Sequence, residues 1–479
     1  MPVEHQKLFI DGGWVKPAAS RMIQIFGASS EALVGCVPEG SPADIDAAVA
    51  AARRALTASA WATYSPAERA AAIGRFADAV DKRAPAIAQA VSTQNGMPIV
   101  VAEQLECGFV VGMLRYYAGL AGALDVEESR PSPMGFTTRV RREPVGVIGA
   151  IVPWNFPVAL SMMKIGPALA TGCTIVLKPS PETVLDCFLL AEAAEEAQLP
   201  PGVINWVPGG RELGAYLVSH PGIDKVAFTG STAAGRTIAQ ACGALLRPVS
   251  LELGGKSAAV LLEDADLDTY LQAIPSVSLL NNGQACFSCT RILAPRSRYA
   301  AVVDAVAAAV AALPVGDALD RRTLIGPMVS RAHRERVEGY IARGRAEATL
   351  VAGGGRPAAM ERGWFVEPTV FADVSNSAAI AREEIFGPVL SIIPYADEEE
   401  AIQLANASDY GLGGSVWSAD RERATRLARR IESGTVGING YLPDLNAPFG
   451  GLKASGLGRE LGPESMAGYL QYKSIYQLG

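Results

Sequence analysis

Long uninterrupted apolar runs, paired cysteines, histidines and basic clusters are all scarce in this sequence, and each scarcity removes a class of function. The most apolar stretch, 145–177, is broken by Pro153, Pro157 and Pro167 and carries Lys164. A spanning helix needs roughly 20 consecutive apolar residues, so no membrane segment is expected. The first thirteen residues lack a charged-then-apolar pattern, so no export signal is expected either. The seven cysteines, at 36, 107, 173, 187, 242, 286 and 289, are odd in number and mostly scattered. That usage fits free thiols in a reducing compartment, hence a cytoplasmic protein, rather than a disulfide framework. Only His5, His220 and His333 are present, and none falls in a motif near the Cys286 segment. A Cys–His hydrolase is therefore disfavoured, and no metal site is expected. The net charge of -7, from 42 basic and 49 acidic side chains with no basic stripe, argues against nucleic acid and anionic membrane as partners.

What is present suits a packed globular enzyme: 479 residues, 49% hydrophobic and 19% charged, enough for two or three domains. Ser41-Pro-Ala-Asp44 opens a helix with Ile45, Val49, Ala52 and Leu56 on one face, and Ser65-Pro-Ala-Glu68 opens a second with a capping-box pattern. From Pro144 the texture changes to short β-branched runs. Segments 145–152, 174–177, 203–207, 225–229 and 249–253 read as buried strands, separated by helical patterns near 158–171, 183–197, 211–219 and 233–243. Strands joined by helices of this length imply crossovers, hence a Rossmann-like, doubly wound parallel sheet. The alternation restarts at 258–262, continues through 292–294, a helix at 299–313, and 389–393 and 415–417, predicting a second α/β domain. The polar, arginine-rich segment 127–143 reads as a hairpin or arm, and 469–476 alternates like an edge strand.

Four motifs carry chemistry. In Gly283-Gln-Ala-Cys286-Phe-Ser-Cys289 a turn precedes the first thiol. A lone cysteine in apolar surroundings is usually inert core, but a thiol on a turn suits a nucleophile, given help in forming the thiolate. Cys289 reads as a bystander or, less simply, a redox partner. In Leu251-Glu-Leu-Gly-Gly255 a glutamate stands between leucines at the end of a buried strand, which is costly without a task. Burial raises a carboxyl towards neutrality, as a general base requires. Pro153-Trp-Asn-Phe-Pro157 is a stiff loop after the first parallel strand, where α/β folds place ligands, and Asn155 offers an oxyanion donor. Phe228-Thr-Gly-Ser-Thr-Ala-Ala-Gly235 runs from strand through glycine into a helix, and helix-start amides suit a pyrophosphate. Lys178-Pro-Ser180 and Glu384-Ile-Phe-Gly-Pro388, at strand and loop ends, would alone read as solvated surface charges.

The order PWNFP, LKPS, FTGST, LELGGK, GQxC, EEIFGP and PFGG resembles the aldehyde dehydrogenase superfamily, over nearly the whole chain. The resemblance implies a nicotinamide-dependent enzyme of the hydrolytic type with three parts: a cofactor domain over 1–122 and 143–254, a catalytic domain over 255–454, and an oligomerisation arm over 123–142 and 455–479. It implies Cys286 as nucleophile, Glu252 as general base and Asn155 as oxyanion donor with the Cys286 backbone N–H. Lys164 would tune the site and Glu460 join a proton relay. For the cofactor it implies Lys178 and Ser180 near the adenosine ribose, Ser231 and Gly230 at the pyrophosphate beside Trp154 and Leu253, and Glu384 and Phe386 around the nicotinamide ribose and ring. Phe156, Met163, Phe287 and Phe449 would border the substrate tunnel, though such aromatics are as readily ordinary core, and they suggest an apolar, aromatic or terpenoid aldehyde.

One departure stands out. Many NAD-preferring members carry a glutamate three residues after the lysine; here that position is Pro181, with Glu182 one step later. NAD is the expected cofactor, with NADP left open. The rivals are a coenzyme A-acylating relative, against which Glu252 argues, and a non-catalytic binding or structural relative, which would have little use for Cys286, Glu252 and Asn155 together. The resemblance also implies a homodimer or homotetramer, the C-terminal strand pairing with a neighbouring subunit alongside the arm.

Overall fold

The structure, a computed structural model, describes residues 2–478 and places the chain's chemistry between two parallel sheets. The first sheet has eight strands in the spatial order Gly456–Leu457, Val249–Glu252, Lys225–Thr229, Val147–Ile151, Thr174–Lys178, Ile204–Trp206, Leu8–Ile10 and Gly13–Val15. The five central strands are mutually parallel, as the crossover argument requires. Taken by position in the chain, they run 5-4-1-2-3. The order therefore reverses between Val147–Ile151 and Lys225–Thr229, the switch point at which open α/β sheets bind ligands.

The second sheet runs Thr349–Ala352, Thr369–Ala372, Val389–Tyr395, Arg291–Pro295, Ala258–Leu261, Gly414–Trp417 and Gly437–Ile438, parallel except at its first pair. The segment 253–257 carries the chain from the end of one sheet to the start of the other. Each expected strand and helix from 145 to 313 lies within two residues of its observed bounds. The helix Pro157–Thr171 is buried at every position. It tolerates Pro167 at mid-length, and Gly166 lets Tyr117 approach so closely that an added Cβ would stand 2.2 Å from its ring. No helix among the described residues is long and apolar enough to cross a membrane.

The helices Pro42–Ala58 and Pro66–Asp81 begin where Ser41 and Ser65 predict, the Ser65 N–H donating to Glu68 at 2.7 Å. Three features lay beyond local pattern. The N-terminal strands Leu8–Ile10 and Gly13–Val15 extend the first sheet by antiparallel pairing of Phe9 with Trp206. Residues Ala102–Gly108 form a π-helix. The C-terminal segment divides: Gly456–Leu457 pairs with Val249–Glu252, while Leu470–Gln477 pairs along its length with Thr137–Pro144, in the hairpin completed by Glu127–Pro131. That last strand leaves its other edge open, with Tyr472 and Tyr476 63% and 65% exposed.

Candidate active site

The loop 153–156 leaves the strand Val147–Ile151 at the switch point, and prolines at both ends restrict its backbone. It feeds the helix Pro157–Thr171, whose N-cap, Phe156, has no side-chain oxygen to satisfy the first amides. The fully buried Glu106 does so from the π-helix, accepting from the Val158 N–H at 2.7 Å and the Ala159 N–H at 3.4 Å. Burial pushes the Glu106 carboxyl up to about 8 despite those bonds. Asn155 is 3% exposed; its Nδ2 donates to the Gln284 carbonyl at 2.9 Å.

That bond reaches the turn that presents Cys286. Asn281, Asn282 and Gly283 are all left-handed, with φ of 50°, 63° and 76°. An added Cβ on Gly283 would stand 2.2 Å from the Gly387 carbonyl, and one on Gly255 would stand 2.3 Å from that of Cys286. The glycines of both motifs thus allow backbones to touch. Cys286 is half-buried and faces a cavity of about 290 Å³. Burial pushes its thiol well up, and the nearby Glu384 and Glu252 carboxyls push it further. Cys289 is fully buried, its Sγ 3.6 Å from Ser415 Oγ, and is not on that cavity.

The cavity brings Trp154, Asn155, Cys286 and Leu253 together with Gly230 and Ser231 on one side and Glu384 and Phe386 on the other. Ser231 caps the helix Thr232–Ala244, its Oγ accepting from the Ala234 N–H at 3.3 Å, which leaves a positive helix end at the cavity wall. Glu384 accepts from the Gly255 N–H at 3.0 Å, and burial raises its carboxyl to about 7. Lys178 and Ser180 lie off the cavity, at the end of the neighbouring strand. Lys178 Nζ donates to the Gly209 carbonyl at 2.7 Å, and burial lowers it to about 8. Ser180 Oγ donates to the Glu182 carboxylate, fixing that charge beside the lysine. A helix start at the switch point, a buried carboxylate and a caged lysine fit a dinucleotide. A larger cleft, about 590 Å³, runs along the outer side of the same helix, but Arg343 and Arg382 in its wall are already paired with Glu383 and Asp409, and it holds none of the reactive side chains.

Glu252, Lys164 and Glu460 form a second buried group. Lys164 Nζ donates to Glu460 at 2.7 Å and to Thr229 Oγ1 at 2.6 Å. Neither Glu252 oxygen has a hydrogen-bond partner. Burial first, then the charge of Glu460, holds its carboxyl well above the usual range, with Lys164 and Arg459 opposing. Phe287 packs edge-on against Tyr441 and Phe449, with ring centroids 5.3 and 6.2 Å apart. Those two, with Phe156 and Met163, are buried in the core and are not on the 290 Å³ cavity.

Several residues of the site escape the motifs. His333 and Arg336 line the cavity, so a histidine does lie near Cys286, contrary to what motif spacing suggests. His333 is no free base: its Nε2 donates to the Phe386 carbonyl at 2.7 Å, its ring packs on Trp154 at 5.1 Å, and burial lowers it to about 4. Asn95 donates to the carbonyls of Trp154 and Asn155 at 3.2 and 3.1 Å, and Asn281 to that of Asn155 at 2.8 Å. The Asn-Asn-Gly run was a readable sign of a left-handed turn; nothing local marks Asn95, Glu106 or His333.

Comparison with known proteins bears on the family and the fold. The profile of the aldehyde dehydrogenase family matches residues 14–475. Geranial dehydrogenase of Castellaniella defragrans is 64% identical over 479 residues, covering 100% of both chains. The crystal structure of a Mycobacterium tuberculosis aldehyde dehydrogenase complexed with NAD+ superposes with a TM-score of 0.97 at 48% identity, covering 99% of this chain and 98% of that one. A Pseudomonas syringae aldehyde dehydrogenase variant complexed with NAD+ and octanal superposes with a TM-score of 0.95 at 39% identity, covering 98% and 96%.

Proposed function

The chain belongs to the aldehyde dehydrogenase family, and we propose that it oxidises an apolar, terpenoid-type aldehyde to the carboxylic acid through a covalent intermediate on Cys286. The observation that carries this reading is the single cavity onto which Cys286, Asn155, Ser231, Glu384 and Phe386 all open. The cofactor is a nicotinamide dinucleotide, NAD in the first place. Ser231 and the helix start behind it would hold the pyrophosphate, Lys178 and Ser180 the adenosine ribose, and Glu384 the nicotinamide ribose. Trp154, Gly230, Leu253 and Phe386 would form the walls. When bound, the nicotinamide supplies a hydride acceptor and a positive charge near the thiol.

Cys286 gives up its proton to solvent, Sγ adds as the thiolate to the aldehyde carbon, and the carbonyl π electrons move to oxygen. Asn155 has one N–H committed to Gln284 and a second free, and this second donor with the Cys286 backbone N–H would stabilise the oxyanion. Passing hydride to that acceptor, the adduct would collapse to a thioester on Cys286. Glu252, buried, unpartnered and raised, then takes a proton from water. The resulting hydroxide attacks the thioester, the acid leaves, and the thiolate is restored. Lys164 and Glu460, hydrogen-bonded to each other beside Glu252, would pass the proton outward.

The substrate class rests on the 64% identity to geranial dehydrogenase. We take the location as cytoplasmic, on the free cysteines, and the assembly as a homodimer or homotetramer joined through the open edge of Leu470–Gln477. Reduced-nicotinamide absorbance with a panel of terpenoid, aromatic and charged aldehydes tests the function, with Cys286→Ala as control. Turnover of the apolar members that vanishes in the variant is expected; preference for charged aldehydes would overturn the substrate class. A monomeric, fully active protein by solution mass would overturn the assembly.

A further inference from the structure

The loop that carries Asn155 and the turn that carries Cys286 lie in different halves of the chain, and two amide groups lace them together. Asn281 Nδ2 donates to the Asn155 carbonyl at 2.8 Å, and Asn155 Nδ2 donates back to the Gln284 carbonyl at 2.9 Å. The bonds run in opposite directions between the two backbones, and the same Asn155 carbonyl also accepts from Asn95 Nδ2 at 3.1 Å. Asn281 is 2% exposed, and its own Oδ1 has no partner, so the bond to Asn155 alone orients its amide.

The backbone beneath Asn281 is held for this task. Its φ of 50°, followed by 63° at Asn282, is the left-handed conformation that asparagine tolerates and that the surroundings here enforce. Asn282 supplies that enforcement, donating to the Gly96 and Pro327 carbonyls at 2.8 and 2.9 Å and accepting from the Gly326 N–H at 2.6 Å. Gln284 adds its Oε1, which accepts from the Val329 N–H at 3.0 Å. The turn is therefore anchored to the rest of the protein through Asn282 and Gln284, leaving Asn281 free to reach the oxyanion loop.

We propose that Asn281 is a positioning residue for Asn155: it holds the loop so that the second Asn155 N–H points at the oxygen of the adduct on Cys286. This rests on the oxyanion role proposed for Asn155. Losing an oxyanion donor outright costs roughly 10²–10³ in rate, and misaiming one costs part of that, so the expected effect is about tenfold to a hundredfold on kcat.

The test uses the full enzyme with NAD and a terpenoid aldehyde. Asn281→Gly removes the amide while leaving the left-handed backbone unstrained. Hydride formation should slow at least tenfold, with KM for the aldehyde within about threefold. The rate of Cys286 alkylation by iodoacetamide, a displacement with no oxyanion, should be unchanged. In an Asn155→Ala background the same substitution should slow turnover no further, because its effect passes through the group already removed. Asn281→Asp, which keeps the size and the left-handed tolerance of asparagine but not its amide donor, gives the same kcat and double-variant readouts should the glycine variant not fold. Independent, multiplying losses in the double variant, or alkylation falling in step with kcat, would overturn the proposal and leave Asn281 a mere support of the Cys286 turn. Asn155→Ala at the wild-type rate would instead remove the oxyanion role itself, and the positioning role with it.

Discussion

Glu106 offers a perturbation whose sign and size follow from the structure. Its carboxyl is fully buried, accepts two amides at the start of the helix Pro157–Thr171, and is pushed by burial from 4.5 to about 8, with Asp186 adding to the rise. Between those values the folded protein keeps a proton that the unfolded chain releases, so this group's contribution to stability is largest below about pH 4.5 and is lost as pH climbs through about 8. At about 1.4 kcal/mol per unit the rise sets an upper bound of roughly 5 kcal/mol, and half of that is a fair expectation once unfolded-state structure and the coupling to Asp186 are allowed for. Glu106→Gln cannot ionise. At pH 5 it should match the wild type or lose about 1 kcal/mol, since its new amide faces the Ala159 N–H. By pH 9 it should be the more stable protein, by a few degrees in Tm. Thermal unfolding of both proteins at pH 5, 6, 7, 8 and 9 reads this directly. Parallel Tm curves, or a variant that loses ground as pH rises, would refute the reasoning.

Two further outcomes follow from close approaches in the site. A methyl on Gly450 would stand 2.7 Å from Glu252 Oε1, so Gly450→Ala should leave the first burst of reduced nicotinamide intact and slow steady turnover about tenfold or more; an unchanged steady rate would show that Glu252 does not need that space. Glu182 holds its charge beside Lys178 through Ser180, so Glu182→Gln should tighten NADP relative to NAD in a fluorescence titration, and an unaltered ratio would leave the preference to other groups.

The parts of the fold that were legible are those whose pattern is written locally, in short apolar runs and helical repeats that alternate along the chain. The five parallel strands and their crossovers alternate at the spacing of βαβ units, and the glycine motifs sit at the strand ends where such sheets bind ligands. What escaped needs distant partners. Leu8–Ile10 joins the sheet only through Trp206, and His333 reaches the cavity only because the helix Arg331–Glu347 packs behind Phe386. Glu106 lies in a π-helix, whose register departs from the 3.6-residue periodicity by which helix faces are read. Of the candidate site, Cys286, Asn155 and Glu252 stand out by chemistry, because a turn thiol, a loop amide and a buried carboxylate are each unusual where they are. Asn95 and Asn281, which hold that chemistry in place, are ordinary polar residues until the fold brings them within hydrogen-bond reach.

The most direct measurement is of the covalent intermediate. The Glu252→Gln enzyme, mixed with NAD and a terpenoid aldehyde and quenched in acid, should carry one acyl group by intact mass, assigned by fragmentation to Cys286, and should form reduced nicotinamide in a single burst. The Cys286→Ala enzyme should carry none. An acyl group on Cys289, or steady turnover with no trapped acyl group, would contradict the account.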